Sequence, residues 1–399
     1  MLAAICKSYN HTIYASYVGY ITQAIVNNFA PLLFLTFMAD FDLTLEKITL
    51  ITTVNFAVQL AVDAIAVKVV DRIGYRPCIM AAHVFAALGL MGLALFPAIM
   101  PPFAGVMTAV VLYAIGGGII EVLISPIVEA CPTDKKEAAM SLLHSFYCWG
   151  HVGVVLLSTL FFAVFGVDMW RVLAIAFAIV PLANVVYFLR VPMYEIVSAE
   201  EKMPLSALLK EKVFWLLMVL MVCAGASEQA MSQWSSAFAE SALQVSKTAG
   251  DLAGSCAFAA LMGAARAIYG RYSEKIALKG MMMGSACLCI LCYMTAVLSK
   301  SPVLALAGCA LCGFSVGIFW PGTFSMAAIH LPSGGTALYA LLALAGDIGC
   351  SAGPTLVGMT AGLNGGNLKA GLILAVVFPA VILMGSGKLG RKKADRQAE

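Results

Sequence analysis

Charge is what this sequence has little of. Asp, Glu, Lys and Arg make up 11% of its 399 residues, while apolar residues make up 62%. A soluble domain carries about 25% charged and 45–50% apolar residues, so a soluble globular fold is excluded and an integral membrane protein is expected. The net charge of +3 is too small to draw a nucleic-acid partner. No GxxxxGK[ST] run is present, and Lys136 and Lys275 lie in contexts unsuited to one, which excludes an ATP-driven pump at the level of this chain. Also missing is an HExxH signature, which leaves His144, His151 and Asp347 as the only set offering an intramembrane metal enzyme any purchase. The first ten residues hold one Lys and no apolar h-region, so no cleavable signal peptide is expected. The sequon Asn10-His-Thr12 falls on the face read below as cytoplasmic, where it is not glycosylated.

Cysteine is plentiful, with twelve residues, but nearly all fall inside apolar runs. Cys289/Cys292 and Cys309/Cys312 have CxxC spacing without a nearby His or Asp. Such thiols behave as small hydrophobes more often than as ligands. No metal or cofactor is expected, and no catalytic residue.

The chain contains twelve runs of about 20 apolar residues, each long enough to cross a bilayer as a helix. They cover approximately 14–39, 47–70, 77–98, 104–130, 139–165, 170–190, 213–239, 248–269, 280–299, 303–329, 335–361 and 367–388. The longest polar connection follows the sixth. Residues 1–190 are therefore read as an N-terminal six-helix bundle, 191–212 as a cytoplasmic linker, and 213–399 as a C-terminal bundle with a basic tail. Of the 24 Lys and Arg residues, eighteen lie in loops on the side of both termini and five on the other, which orients both termini to the cytoplasm.

The halves repeat. Leu43 and Lys47 recur as Leu243 and Lys247, Asp63 has Arg266 as its counterpart, and Trp149-Gly-His151-Val-Gly153 recurs as Ala345-Gly-Asp347-Ile-Gly349. Two parallel six-helix halves resemble the major facilitator transporters. The loop Asp71-Arg72-Ile-Gly74-Tyr-Arg76 resembles that superfamily's loop motif, and Gly270-Arg-Tyr-Ser-Glu274-Lys275 looks like its second copy. The resemblance implies an all-α membrane fold of two pseudo-symmetric bundles, with Asp63, Asp71, Arg72, Arg76, Arg266, Gly270, Glu274 and Lys275 serving as gate or loop residues.

Glu121 lies in the fourth run, in Gly116-Gly-Gly-Ile-Ile-Glu121-Val-Leu-Ile-Ser125-Pro126. A carboxylate there costs at least a few kcal/mol and by default marks a functional site. This segment, together with Gly225-Ala-Ser-Glu228 and Asn27-Asn28-Phe-Ala-Pro31, resembles the fucose/galactose/glucose:proton symporters. Departures are Asn27 where some members have an acid, and Val122 and Ser125 where the family has Thr and Asn. The resemblance implies sugar transport. With Asn27 unable to ionise, a proton carried by the first half uses Glu121 or His151, of which Glu121 has the better claim, and Glu228 is the candidate in the second half.

Helical spacing collects other polar residues into stripes. Gln23, Asn27 and Pro31 share a face, as do Asn55, Gln59 and Asp63, and likewise His144, Tyr147 and His151. Glu228, Gln229, Gln233 and Trp234 gather on the seventh run, with Trp320 on the tenth and Asp347 on the eleventh. Amides suit hydroxyls, and an aromatic face suits the C–H face of a sugar. Each also has a plainer role: amides glue helices together, and Glu121 could be a strut held by His144 or His151. The carbonyl freed by Pro126 is expected to hold the Glu121 carboxyl. The reading is a monomeric secondary transporter of a small polar solute and protons in a bacterial inner membrane, with amphiphile efflux, uniport and a non-transporting receptor as alternatives.

Overall fold

In the computed structural model, residues 8–133, 136–194, 205–272, 277–331 and 335–389 are described. They form twelve helices long and apolar enough to cross a membrane, and no strand is found among them. The first half comprises α1 (Tyr9–Phe41), α2 (Leu45–Ile73), α3 (Tyr75–Ile99), α4 (Pro102–Glu129), α5 (Lys136–Phe165) and α6 (Trp170–Arg190). The second comprises α7 (Lys212–Leu243), α8 (Lys247–Tyr269), α9 (Leu278–Leu298), α10 (Pro302–Ala327), α11 (Gly335–Leu363) and α12 (Leu368–Lys388). An even number of crossings puts both ends of the chain on one face, called here the terminal face.

The expected spans fall on these helices, and the structure adds breaks inside them. In α1 the α-helix ends at Asn28, and Ala30–Leu33 forms a 3-10 turn around Pro31. Pro31 has no N–H and cannot continue the ladder. α8 opens with a π-turn over Asp251–Cys256, and α10 breaks between Val316 and Phe319, ahead of Pro321. Gly270 is a correction to the sequence reading: it lies inside the helix Ala257–Tyr272 rather than in the following loop.

Glycine permits the closest helix crossings. A Cβ on Gly116 would stand 2.5 Å from the Ala82 carbonyl of α3, and one on Gly118 would stand 3.1 Å from the Gln59 carbonyl of α2. α4 is thereby drawn against both neighbours. In the second half, a Cβ on Gly317 would stand 2.9 Å from the Met262 carbonyl, drawing α10 against α8. Gly74, at φ +94°, makes the α2–α3 turn that residues with a Cβ rarely adopt.

The halves meet along α2–α11, α5–α8 and α1–α7. On the face away from the termini, Thr53 and Thr355 hydroxyls lie 2.5 Å apart, Ser351 Oγ donates to the Thr53 carbonyl at 3.4 Å, and Phe34 packs on Trp234 with ring centroids 5.3 Å apart. Lys247 Nζ completes this closure by donating to the Leu32 carbonyl in the α1 break. The same ammonium pairs with Asp251 at 3.2 Å and Glu240 at 3.5 Å. Asp251 is fully buried, so Lys247→Met would strand its charge. That variant is expected to lose about 3 kcal/mol, the usual cost of breaking a buried pair. Lys247→Met/Asp251→Asn should recover most of it in detergent unfolding. Equal losses in the two variants would refute the pairing as the cause.

Candidate functional site

α4 supplies the floor of the site. Gly117 carries no side chain, and the amides of Gln23 and Gln59 lie over it: a Cβ there would stand 2.9 Å from Gln23 Oε1 and 3.4 Å from Gln59 Cδ. One turn toward the terminal face, Glu121 meets them. Gln23 Nε2 donates to Glu121 Oε2 at 3.0 Å and to Gln59 Oε1 at 2.9 Å. Gln59 Nε2 in turn donates to Asn27 Oδ1 at 2.8 Å and Asn55 Oδ1 at 3.0 Å, and Asn55 Nδ2 donates to Asn27 Oδ1 at 3.1 Å. The four amides that the stripes picked out are thus one network. Its one loose end is Gln23 Oε1, a buried acceptor with no partner, which is costly unless something completes it.

Pro31 links this network to the other half. Proline at 31 leaves the Asn27 carbonyl without its helical donor. Gln233 Nε2 of α7 takes it at 3.1 Å and also donates to Gln229 Oε1 at 3.1 Å. Gln229 Nε2 reaches Glu228 Oε1 at 3.4 Å, and Glu228 Oε2 pairs with Arg266 Nη2 of α8 at 3.2 Å. The same logic recurs at Pro321, which frees the Gly317 carbonyl, and Arg266 Nε donates to it at 3.4 Å. A chain of polar contacts therefore runs from Glu121 in one half to Arg266 in the other.

Several expectations need correction. Arg266 does not serve a loop; it sits between helices on Glu228, with Nη1 directed to Cys148 Sγ of α5 at 3.4 Å. Asp63 instead lies beside Asp347 of α11, across the two halves. Trp234 is not a free aromatic platform, since it is fully buried with Nε1 donating to the Pro354 carbonyl at 2.9 Å. Its bulk fills the closure away from the termini. The Pro126-freed carbonyl does not hold Glu121, whose partner is Gln23. Neither histidine holds Glu121: His144 is exposed beside the Tyr20 ring at 5.5 Å, and His151 is buried on Ser255 of α8 at 3.3 Å. Arg76 ties the α2–α3 turn to its own half, donating to the carbonyls of Phe188, Leu189 and Val191 at 2.8–3.0 Å. That caps the C-terminus of α6. Trp320 packs edge-on to Phe324 at 6.3 Å and covers Gly346 of α11. Arg72 is exposed. The Asp71 side chain, Glu274 and Lys275 lie outside the described residues.

Cys148, Ser255, Thr53, Thr355 and Ser351 were not singled out from the sequence. Small polar residues inside apolar helices carry no signal of which neighbour they face. The pairing of Asp251 with Lys247 could have been found, because a Lys and an Asp four apart at the start of a span face one another.

The chain matches the Major Facilitator Superfamily profile over residues 16–354. Among solved structures it is similar to a bacterial homologue of the human lysosomal transporter Spinster in an inward-facing, occupied conformation, with TM-score 0.75, 15% identity and coverage of 95% of this chain and 96% of that one. It is similar to a D-xylose–proton symporter, with TM-score 0.74, 12% identity and coverage of 96% of each chain. The E. coli fucose:proton symporter is also similar, with TM-score 0.62, 13% identity and coverage of 97% of this chain and 100% of that one. No curated protein matches the sequence.

Proposed function

The chain belongs to the major facilitator superfamily of transporters, and we propose that its solute is a small polar compound of the sugar class, carried by alternating access together with protons bound at Glu121. The observation that carries this reading is the polar chain joining Glu121 to Glu228 and Arg266 through Gln23, Gln59, Asn27, Gln233 and Gln229. Amides both donate and accept, so a polyol entering between the halves can take over amide contacts one for one. Binding then loosens the Gln233–Asn27 link between the halves while Glu121, at the partly exposed end, exchanges its proton with water. Gln23, Asn27, Asn55 and Gln59 contact the solute from the first half, and Glu228, Gln229 and Gln233 from the second. His144, His151, Trp320 and Asp347 border the path. Residues 1–190 and 213–399 act as the two rocking units, joined by 191–212. The excess of Lys and Arg on the terminal face supports a cytoplasmic placement of both termini.

Uptake of radiolabelled fucose, galactose, glucose and xylose into proteoliposomes tests this. An inward proton gradient of one pH unit can support about tenfold accumulation at one proton per solute. Uptake of at least one sugar above protein-free vesicles, abolished by a protonophore, is the expected result. Indifference to the gradient would leave a uniporter. No sugar uptake, with expulsion of a lipophilic cation such as tetraphenylphosphonium, would replace the reading with efflux.

A further inference from the structure

Among the described residues Arg266 is the one cation in the polar chain that starts at Glu121, and its donors are poorly used. A guanidinium presents five N–H groups in a planar fork suited to two parallel bonds with a carboxylate. Here Nη2 makes a single bond to Glu228 Oε2 at 3.2 Å, with Met262 Sδ at 3.7 Å as its other neighbour. Nε reaches the Gly317 carbonyl only at 3.4 Å. Nη1 is left with the Cys148 thiol at 3.4 Å, and sulfur is a weak acceptor. Structural Arg–carboxylate pairs are frequently held by both arms of the fork, and this one is not. This side chain is 20% exposed, and the stretch of α5 that carries Cys148 also carries the partly exposed Tyr147 and the exposed His144.

We infer that Arg266 is a specificity-determining residue that binds a carboxylate on the solute through Nη1, in place of Cys148, while Glu228 keeps Nη2. The inference deepens the sugar reading above and rests on it: the preferred solute is a sugar acid rather than a neutral sugar. It also gives the carboxylate a mechanical role. Cys148 belongs to α5 and Arg266 to α8, so a solute that takes Nη1 removes a contact between the halves. Lysine cannot replace arginine here, because an ammonium is a point charge without the fork.

The test is binding to the purified full chain in detergent, followed by thermal shift with glucuronate, glucose and lactate. Glucuronate is expected to bind at least about tenfold more tightly than glucose, the scale of charge-assisted hydrogen bonds. Arg266→Lys should remove that preference, and so should Arg266→Gln/Glu228→Gln, which leaves no unpaired charge if the single glutamine variant fails to fold. Cys148→Ala should strengthen glucuronate binding severalfold by releasing Nη1, an effect a purely structural role for Arg266 does not give. A glucuronate preference that survives in Arg266→Lys overturns the inference. Glucose binding equal to that of glucuronate and indifferent to Arg266 also overturns it, while leaving the sugar reading intact. Lactate binding through Arg266 without any sugar binding sinks the sugar reading and keeps the carboxylate site. No shift with any of the three defeats both.

Discussion

Glu121→Gln is expected to abolish accumulation driven by a pH gradient while leaving solute binding and exchange across the membrane in place. The carboxyl accepts one bond, from Gln23 Nε2 at 3.0 Å, and a glutamine at 121 keeps a carbonyl oxygen to accept it. The amide network that continues from Gln23 to Asn27 and Asn55 therefore has no reason to rearrange, and the unfolding midpoint should stay within a few degrees of wild type. What is lost is the exchangeable proton. Glutamine matches the protonated carboxyl in shape and charge at every pH, so the variant cycles as though always loaded. Under one pH unit of gradient, the roughly tenfold accumulation available to wild type should fall to the equilibrium ratio of one, with counterflow of labelled against unlabelled solute retained. The competing role is structural, a carboxylate that only anchors Gln23. In that case the glutamine anchors Gln23 as well as the carboxylate did, and pH-driven accumulation survives. A well-folded Glu121→Gln protein with wild-type accumulation would transfer coupling to the other carboxyls of the site, Glu228 or the Asp63–Asp347 pair.

The second large effect is on folding. Gly349→Leu is expected to prevent assembly of the second half. α7 and α11 cross in backbone contact at Gly225, Gly349 and Gly353. A Cβ on Gly349 would stand 2.9 Å from the Ala226 nitrogen, and one on Gly353 would stand 2.5 Å from the Ala226 carbonyl. Those obstacles are main chain and cannot swing aside as a flexible side chain can. Overpacking of this kind costs about 3 kcal/mol and occasionally more, which is a large part of a typical stability. The crossing also sets the site, because Glu228 is three residues from Gly225 and Asp347 two from Gly349. Even Gly349→Ala should lower the unfolding midpoint measurably. Gly284→Ala provides the control, since nothing stands within 4 Å of a Cβ there. Size-exclusion profiles in detergent that look alike for Gly349→Leu and Gly284→Ala would contradict this packing argument.

The sequence by itself determined the class of fold. Hydropathy is summed over a local window, and crossing a bilayer depends on that sum, not on which helix stands alongside. For the same reason the twelve spans and the two-fold repeat were legible without contacts. The polar stripes were legible too, since spacing of four places Gln23 with Asn27, and Asn55 with Gln59, on one face, and a polar face inside a membrane must find partners. Only the tertiary structure decided who those partners are. Helical periodicity fixes which residues share a face, but not how far that face is rotated toward each neighbour or how deep it sits against the next helix. Asp63 and Arg266 therefore looked alike as residues near one end of their spans, yet one meets Asp347 and the other Glu228. Trp234 looked like a sugar platform, yet it is sealed against Pro354. The prolines lay between these cases. Pro31 and Pro321 announced in the sequence that the carbonyls of Asn27 and Gly317 would lack helical donors. That Gln233 and Arg266 supply the missing hydrogen bonds followed only once the halves were brought together in space.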